Sequence, residues 1–152
     1  MKIIAITGHK NSNKDLVAMR LASNSDVVYI RPYSDKKRPL NMESYEEDDY
    51  IHLNNSQLSY KMEREEPFLV KEIDGVRYVF FMTQFRADFC AIIIDKTMLD
   101  YLKKNWDGEI VSIYCHDGRG CDDPKSYDII YDWKNDDFDR LESDIIWFLE
   151  KN

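Results

Sequence analysis

The stretch Ile4–Leu21, "IAITGHKNSNKDLVAMRL", decides how the rest of the chain is read. With the two residues before it, it opens as the short β-branched run "KIIAIT" (Lys2 to Thr7), the pattern of a buried strand in a parallel sheet. From Lys14 to Ala22 the pattern is helical, with Leu16, Val17, Met19 and Leu21 forming an apolar face that Arg20 interrupts. Between the two, Gly8 and Lys14 have the spacing of a GxxxxGK phosphate loop, in which a strand feeds a helix whose N–H groups cradle an anion. Asn13 stands where that motif has its second glycine, and Asp15 where it has Ser or Thr. Asn is the non-glycine residue that best tolerates a left-handed backbone, so Asn13 is a mild departure. Asp15 offers a hard carboxylate ligand for Mg²⁺ in place of a hydroxyl. The other reading is a plain strand–turn–helix in which Asn13 and Asp15 cap the helix.

Outward from this loop, "DVVYI" (Asp26 to Ile30), "CAIIID" (Cys90 to Asp95), "EIVSIYC" (Glu109 to Cys115) and "YDIIYD" (Tyr127 to Asp132) read as further core strands. A helix follows "CAIIID" through Lys104, and Phe138, Leu141, Ile145 and Phe148 recur at helical spacing from about Asp136 onward. Strands alternating with helices predict an α/β domain with a mainly parallel sheet. The segment from Tyr33 to Met82 breaks the alternation. It predicts a short strand at "DYIHL" (Asp49 to Leu53), a helix from Ser56 to Arg64, and a hairpin turning at Asp74-Gly75. This is expected to be a small antiparallel insert over the carboxyl ends of the core strands, where ligands of open α/β sheets bind.

Composition sets the outer limits. The 152 residues suit one domain, and 43% hydrophobic with 13% aromatic residues suits a folded one. A net charge of −8 argues against wrapping duplex nucleic acid, but not against one phosphorylated small molecule held in a local cationic pocket. Three cysteines without framework spacing suggest a reducing, cytoplasmic setting. Neither a signal peptide nor a membrane span is expected, because no apolar run is long enough. His9, His52 and His116 are dispersed and lack the paired spacing of a zinc site.

The insert and its flanks resemble guanylate kinase, of the nucleoside-monophosphate kinase family. In "YSDKKRPLNMESYEEDDYIHL", Ser34, Arg38 and the pair Asp49-Tyr50 fall at the family's acceptor-phosphate positions, while the family's second arginine is Asn41 here. Farther on, Phe68 and Tyr78 match, but Val70 and Phe81 replace the glutamate and the small hydroxyl residue that read guanine. "CAIIIDKTMLDYLKK" matches the strand ending in Asp-x-Asp, with Asp95 at the second aspartate. Arg119 in "HDGRGCDD" matches the lid arginine, although 123–127 leaves no room for a lid helix, and "YDIIYDWKNDDFDRLESDIIWFL" matches the last strand, turn and helix. The loop itself is closer to phage deoxynucleoside-monophosphate kinases, sharing Lys10, Ser12, Lys14 and Asp15, which implies a phage-derived relative.

The resemblance implies a single guanylate-kinase-like domain of P-loop fold over 1–152, with an insert over about 33–82 and a shortened lid over about 116–126. It implies ATP on Gly8, Lys10, Ser12, Asn13, Lys14 and Asp15, and a monophosphate (GMP or a deoxynucleotide) on Ser34, Arg38, Tyr50 and Tyr78. Mg²⁺ would rest on Asp15 and Asp95, and Lys14, Arg38, Asp95 and Arg119 would carry catalysis. The departures open a second reading, a degenerate domain that binds a nucleotide, a protein partner or a second copy of itself. Blander readings stand beside these roles. Lys36, Lys37 and Arg38 also suit a solvated basic turn, "EEDDY" an acidic surface run, and Asp95 a helix cap.

Overall fold

The computed structural model describes residues 1–10, 12–37 and 49–150, and they form two compact units. The first comprises Met1–Tyr29 and Ala87–Asn152, the second Ile30–Arg86. The first holds β1 (Lys2–Gly8), α1 (Lys14–Asn24), β2 (Val27–Tyr29), β7 (Phe89–Ile93), α3 (Lys96–Asn105), β8 (Glu109–His116), β9 (Ile129–Asp132) and α4 (Phe138–Glu150). Its five-stranded sheet runs in the order β2-β7-β1-β8-β9, and every pairing is parallel.

Ile3 through Ile6 are fully buried, as a strand covered on both faces requires. Ile4 and Ile6 share one core with Val17 and Leu21 of α1 and with Leu141 and Ile145 of α4. Arg20, which interrupts the apolar face of α1, lays its guanidinium 3.9 Å from the centre of the Phe138 ring, a cation–π contact that keeps its charge at the core's edge. Strand order reverses at β1, whose next neighbours are β7 and β8. A ligand crevice belongs at the carboxyl end of the strand where that happens, and β1 delivers the chain there into the Gly8 loop.

The second unit carries β3 (Tyr33–Ser34), β4 (Ile51–His52), α2 (Asn55–Arg64), β5 (Pro67–Ile73) and β6 (Val76–Phe81), with a sheet order of β4-β3-β6-β5. The hairpin turns where expected. Asp74 and Gly75 both have positive φ, 51° and 80°, as a two-residue turn matched to strand twist demands. The insert is not purely antiparallel, however. β3 and β4 pair in parallel, so they do not form a hairpin. Leu58 of α2 buries against Val79 and Phe81. No described helix is long and apolar enough to cross a membrane.

Candidate functional site

The end of β1 is shaped by close approach. Gly8 has φ 145°, and a Cβ built on it would lie 2.1 Å from the Cys115 carbonyl oxygen of β8, so no side chain fits there. The His9 N–H then donates to that same carbonyl at 3.2 Å. Ser12 is fully buried and donates from Oγ to the His9 carbonyl at 2.6 Å, drawing the loop back on itself. Asn13 has φ 58° and ψ 34°, the left-handed conformation that the missing glycine would have supplied. Its side chain makes no cap on α1, which sets aside the capping alternative for this residue. By contrast, Asn54 caps α2 through a capping box and Asp95 caps α3. The Lys14 ammonium folds over the loop and donates to the Gly8 carbonyl at 3.1 Å. Asp15 is exposed in the first turn. The loop therefore offers helix N–H groups that the Asn13 side chain does not cap and a cation across it, features suited to gripping an anion.

The chain returns to this loop after β8. Arg119 donates from Nε to Asp117 at 2.7 Å and from its guanidinium to the Lys10 carbonyl at 3.2 Å. That bond to the guanidinium holds the Asp117 carboxyl below the usual aspartate range. Gly118 and Gly120 flank the arginine at φ 99° and 83°. The N–H groups of both donate to Nδ1 of His116 at 3.1 Å, and the Gly120 carbonyl lies 3.0 Å from Nε2 of His9. The Tyr114 hydroxyl approaches the same His9 nitrogen at 3.1 Å, and burial raises its proton affinity. Beyond the turn, the stretch expected to be a shortened lid contains one 3₁₀ turn, Pro124–Ser126. It is fastened to α3 by Lys96–Asp123 at 2.9 Å and by Lys103 donating to the Ser126 carbonyl at 2.7 Å. Hydrogen bonds from Ser126 and Lys96 lower the Asp123 carboxyl.

Asp95 accepts from the Met98 N–H at 2.8 Å, so one oxygen of this predicted magnesium ligand serves the helix. Among the described residues, no three His, Cys, Asp or Glu side chains group as a metal cage.

On the insert, Ser34 pairs with Tyr78 across β3 and β6, which puts both on one sheet face, and the Tyr50 ring stands edge-on to Tyr78 at 6.4 Å. Ser34 is fully buried, its Oγ accepting from the Lys36 N–H at 3.1 Å, and Tyr50 is buried as well. Arg38 and Asn41 lie outside the described residues. Phe81 corrects the sequence reading. It falls one strand position off the Tyr78 face and packs against Leu58 and Val79, so Phe80 is the aromatic that shares a face with Tyr78. Val70 is exposed.

Sequence reasoning missed a buried ion pair here. Asp35, 5% exposed, accepts from the Arg77 N–H at 2.8 Å and Nε at 3.0 Å, while the other end of the guanidinium donates to the Asn55 carbonyl at 3.0 Å. Burial alone would raise the Asp35 carboxyl, but the Arg77 bonds and charge outweigh it and hold it low. The turn that follows Ser34 is thereby pinned to β6 and to the start of α2. No sequence signal marks a pair 42 residues apart.

No protein-family model matches the chain, and no curated protein matches it. Among solved structures, the crystal structure of guanylate kinase from Anaplasma phagocytophilum is similar, with a TM-score of 0.68 and 15% identity. That match covers 98% of this chain and 84% of the other. At this identity the likeness is one of fold, and the chain has the guanylate-kinase-like α/β fold.

Proposed function

We propose that this chain is an ATP-dependent nucleoside-monophosphate kinase. The observation that carries the proposal is the Gly8–Asp15 loop, with Asn13 left-handed and its side chain not capping α1, and Lys14 folded across it. ATP phosphates would take the α1 N–H groups and the Lys14 ammonium, with Arg119 held at the loop by its bond to the Lys10 carbonyl. Phosphoryl transfer is mostly positioning and charge neutralisation, and these two cations supply the neutralisation here. Magnesium usually keeps several waters and phosphate oxygens beside one or two carboxylates, which suits Asp15 in the first turn better than Asp95, already a cap. When bound, the ion would withdraw charge from the transferring phosphoryl group.

The acceptor phosphate would rest on Ser34, Tyr50, Tyr78 and Arg38, the first three of which share one region of the insert. The acceptor is GMP or a deoxynucleoside monophosphate. The test is ADP release with every ribo- and deoxynucleoside monophosphate, with and without Mg²⁺. Turnover of at least one, dependent on the metal, is the expected result. Release that no monophosphate stimulates would remove the kinase assignment.

A second reading, a nucleotide-binding domain without transfer, draws on the shortened lid fastened to α3 and on the capping role of Asp95. It predicts ATP binding with no turnover of any monophosphate.

A further inference from the structure

The turn that carries Arg119 is held at one residue, Gly120, by two histidines. Gly120 gives its N–H to His116 and its carbonyl to His9. A carbonyl only accepts, so His9 Nε2 is the donor there. Backbone N–H groups only donate, so His116 Nδ1, which receives two of them, must carry a lone pair. His116 is 9% exposed and therefore has little water to take over that role.

We infer that His116 is the positioning residue for Arg119. With Nδ1 unprotonated it holds the Gly118–Gly120 turn so that the guanidinium lies on the phosphate loop, and a proton on Nδ1 releases the turn. The inference rests on the nucleotide reading of that loop for its consequence, though not for its geometry. Acid affects the two anchors differently. A protonated His9 still donates to Gly120, whereas a protonated His116 turns a donor toward two donors. Gly118 and Gly120 both have left-handed φ, so the turn is free to adopt other conformations once those bonds go.

The charged and titratable groups around His116 come from each neighbouring element. Asp132 sits opposite it on β9, Asp117 and Arg119 belong to the turn, and His9, from the loop after β1, meets the carbonyl of the same Gly120. The Asp132 carboxylate accepts from the Asn135 amide and the Lys134 N–H, which hold it low and in place. The bonds to the turn depend on the charge of one ring.

The test uses the full ¹⁵N-labelled chain as wild type, His116→Asn and His116→Leu, titrated between about pH 5 and 8. Asparagine presents an oxygen acceptor as many bonds from the backbone as Nδ1, and it does not titrate. In wild type, the Gly118 and Gly120 amide resonances should move together with the His116 ring signals. In His116→Asn they should stay near their neutral-pH wild-type positions throughout. ATP affinity should fall at least about tenfold in wild type below the His116 midpoint, as expected for a lost charged contact, and stay flat in His116→Asn. His116→Leu should bind ATP weakly at every pH.

Glycine amides that ignore the His116 titration overturn the inference, whether or not ATP binds. So does an ATP affinity in His116→Asn that follows pH as in wild type. ATP that binds at no pH, with the glycine amides still tracking His116, removes the role for Arg119 in nucleotide binding. It counts against the nucleotide reading and leaves the two histidine–turn bonds demonstrated. Should His116→Leu fail to fold, the asparagine variant and the wild-type titration decide alone.

Discussion

Arg119 donates to the backbone carbonyl of Lys10 at 3.2 Å, although 109 residues separate them. The arginine side chain is 56% exposed, so it adds little to folding, and the proposed kinase reading assigns it to the ligand. Arg119→Ala should therefore leave the melting temperature nearly unchanged and lower kcat by about a hundredfold. Arg119→Lys should recover little, because an ammonium cannot reproduce the guanidinium fork. Steady-state kinetics beside a thermal melt checks both, and an equal loss of stability would mark Arg119 as structural.

Lys14 is predicted to matter only with ligand present. Saturating ATP at a hundredfold excess over Kd should stabilise the wild type by about 2 to 3 kcal/mol. Lys14→Ala should abolish that protection while melting close to wild type without nucleotide. A wild type that ATP does not protect would refute the nucleotide site itself.

The left-handed backbone at Asn13 makes an ordered series. Asn13→Ala should cost about 1 kcal/mol in denaturant unfolding, since an ordinary side chain is strained at φ 58°. Asn13→Gly should be neutral or slightly stabilising and should tighten ATP binding. Weaker ATP binding by the glycine variant would show that the asparagine side chain itself serves the ligand.

Acid should act on the insert through Asp35. Its carboxyl titrates below the ordinary aspartate value, so its contribution is complete above that value and is lost as pH falls through the lower, folded one. Arg77→Met strands a nearly buried carboxylate and should destabilise the insert by about 2 to 4 kcal/mol at neutral pH. The double variant Asp35→Leu/Arg77→Met should recover much of that loss. Urea unfolding at pH 7 and at low pH, on both variants, measures the coupling.

Arg38 decides between transfer and binding alone. As the predicted fork for the acceptor phosphate, its replacement by Ala should reduce kcat/KM for the best monophosphate by about 2 to 4 kcal/mol. ATP affinity should be unaffected. Unchanged kcat/KM would assign Arg38 to a solvated turn.

Local rules made the frame legible. Apolar runs gave the five core strands, Asp74-Gly75 gave the hairpin, and the glycine–lysine spacing gave the loop, because each depends on residues adjacent in sequence. The two-residue strand β3 is too short for any periodicity to reveal it. Asp95 shows the limit for single residues. An aspartate between a strand and a helix serves equally as cap or as metal ligand, and the bond to Met98 was needed to show the cap. His116 and Arg77 were illegible for a different reason. Their partners are set by where loops return in space, and a dispersed histidine or a strand arginine carries no mark of that.

Gln84 gives its side-chain amide to the Arg31 carbonyl at 2.8 Å, joining the two ends of the insert. The core strands β2 and β7 are neighbours, yet all of Ile30–Arg86 intervenes between them in the chain. If β2 and β7 met first, they would close a long disordered loop. Once the insert has folded and Gln84 has tied its neck, the same pairing closes only a short gap. The entropic cost of a loop rises with its length, so the insert is favoured to fold ahead of the sheet that interrupts itself to hold it. Gln84 is then a residue of folding order, acting before any nucleotide is bound, and its loss should slow folding of the core more than it weakens the finished protein.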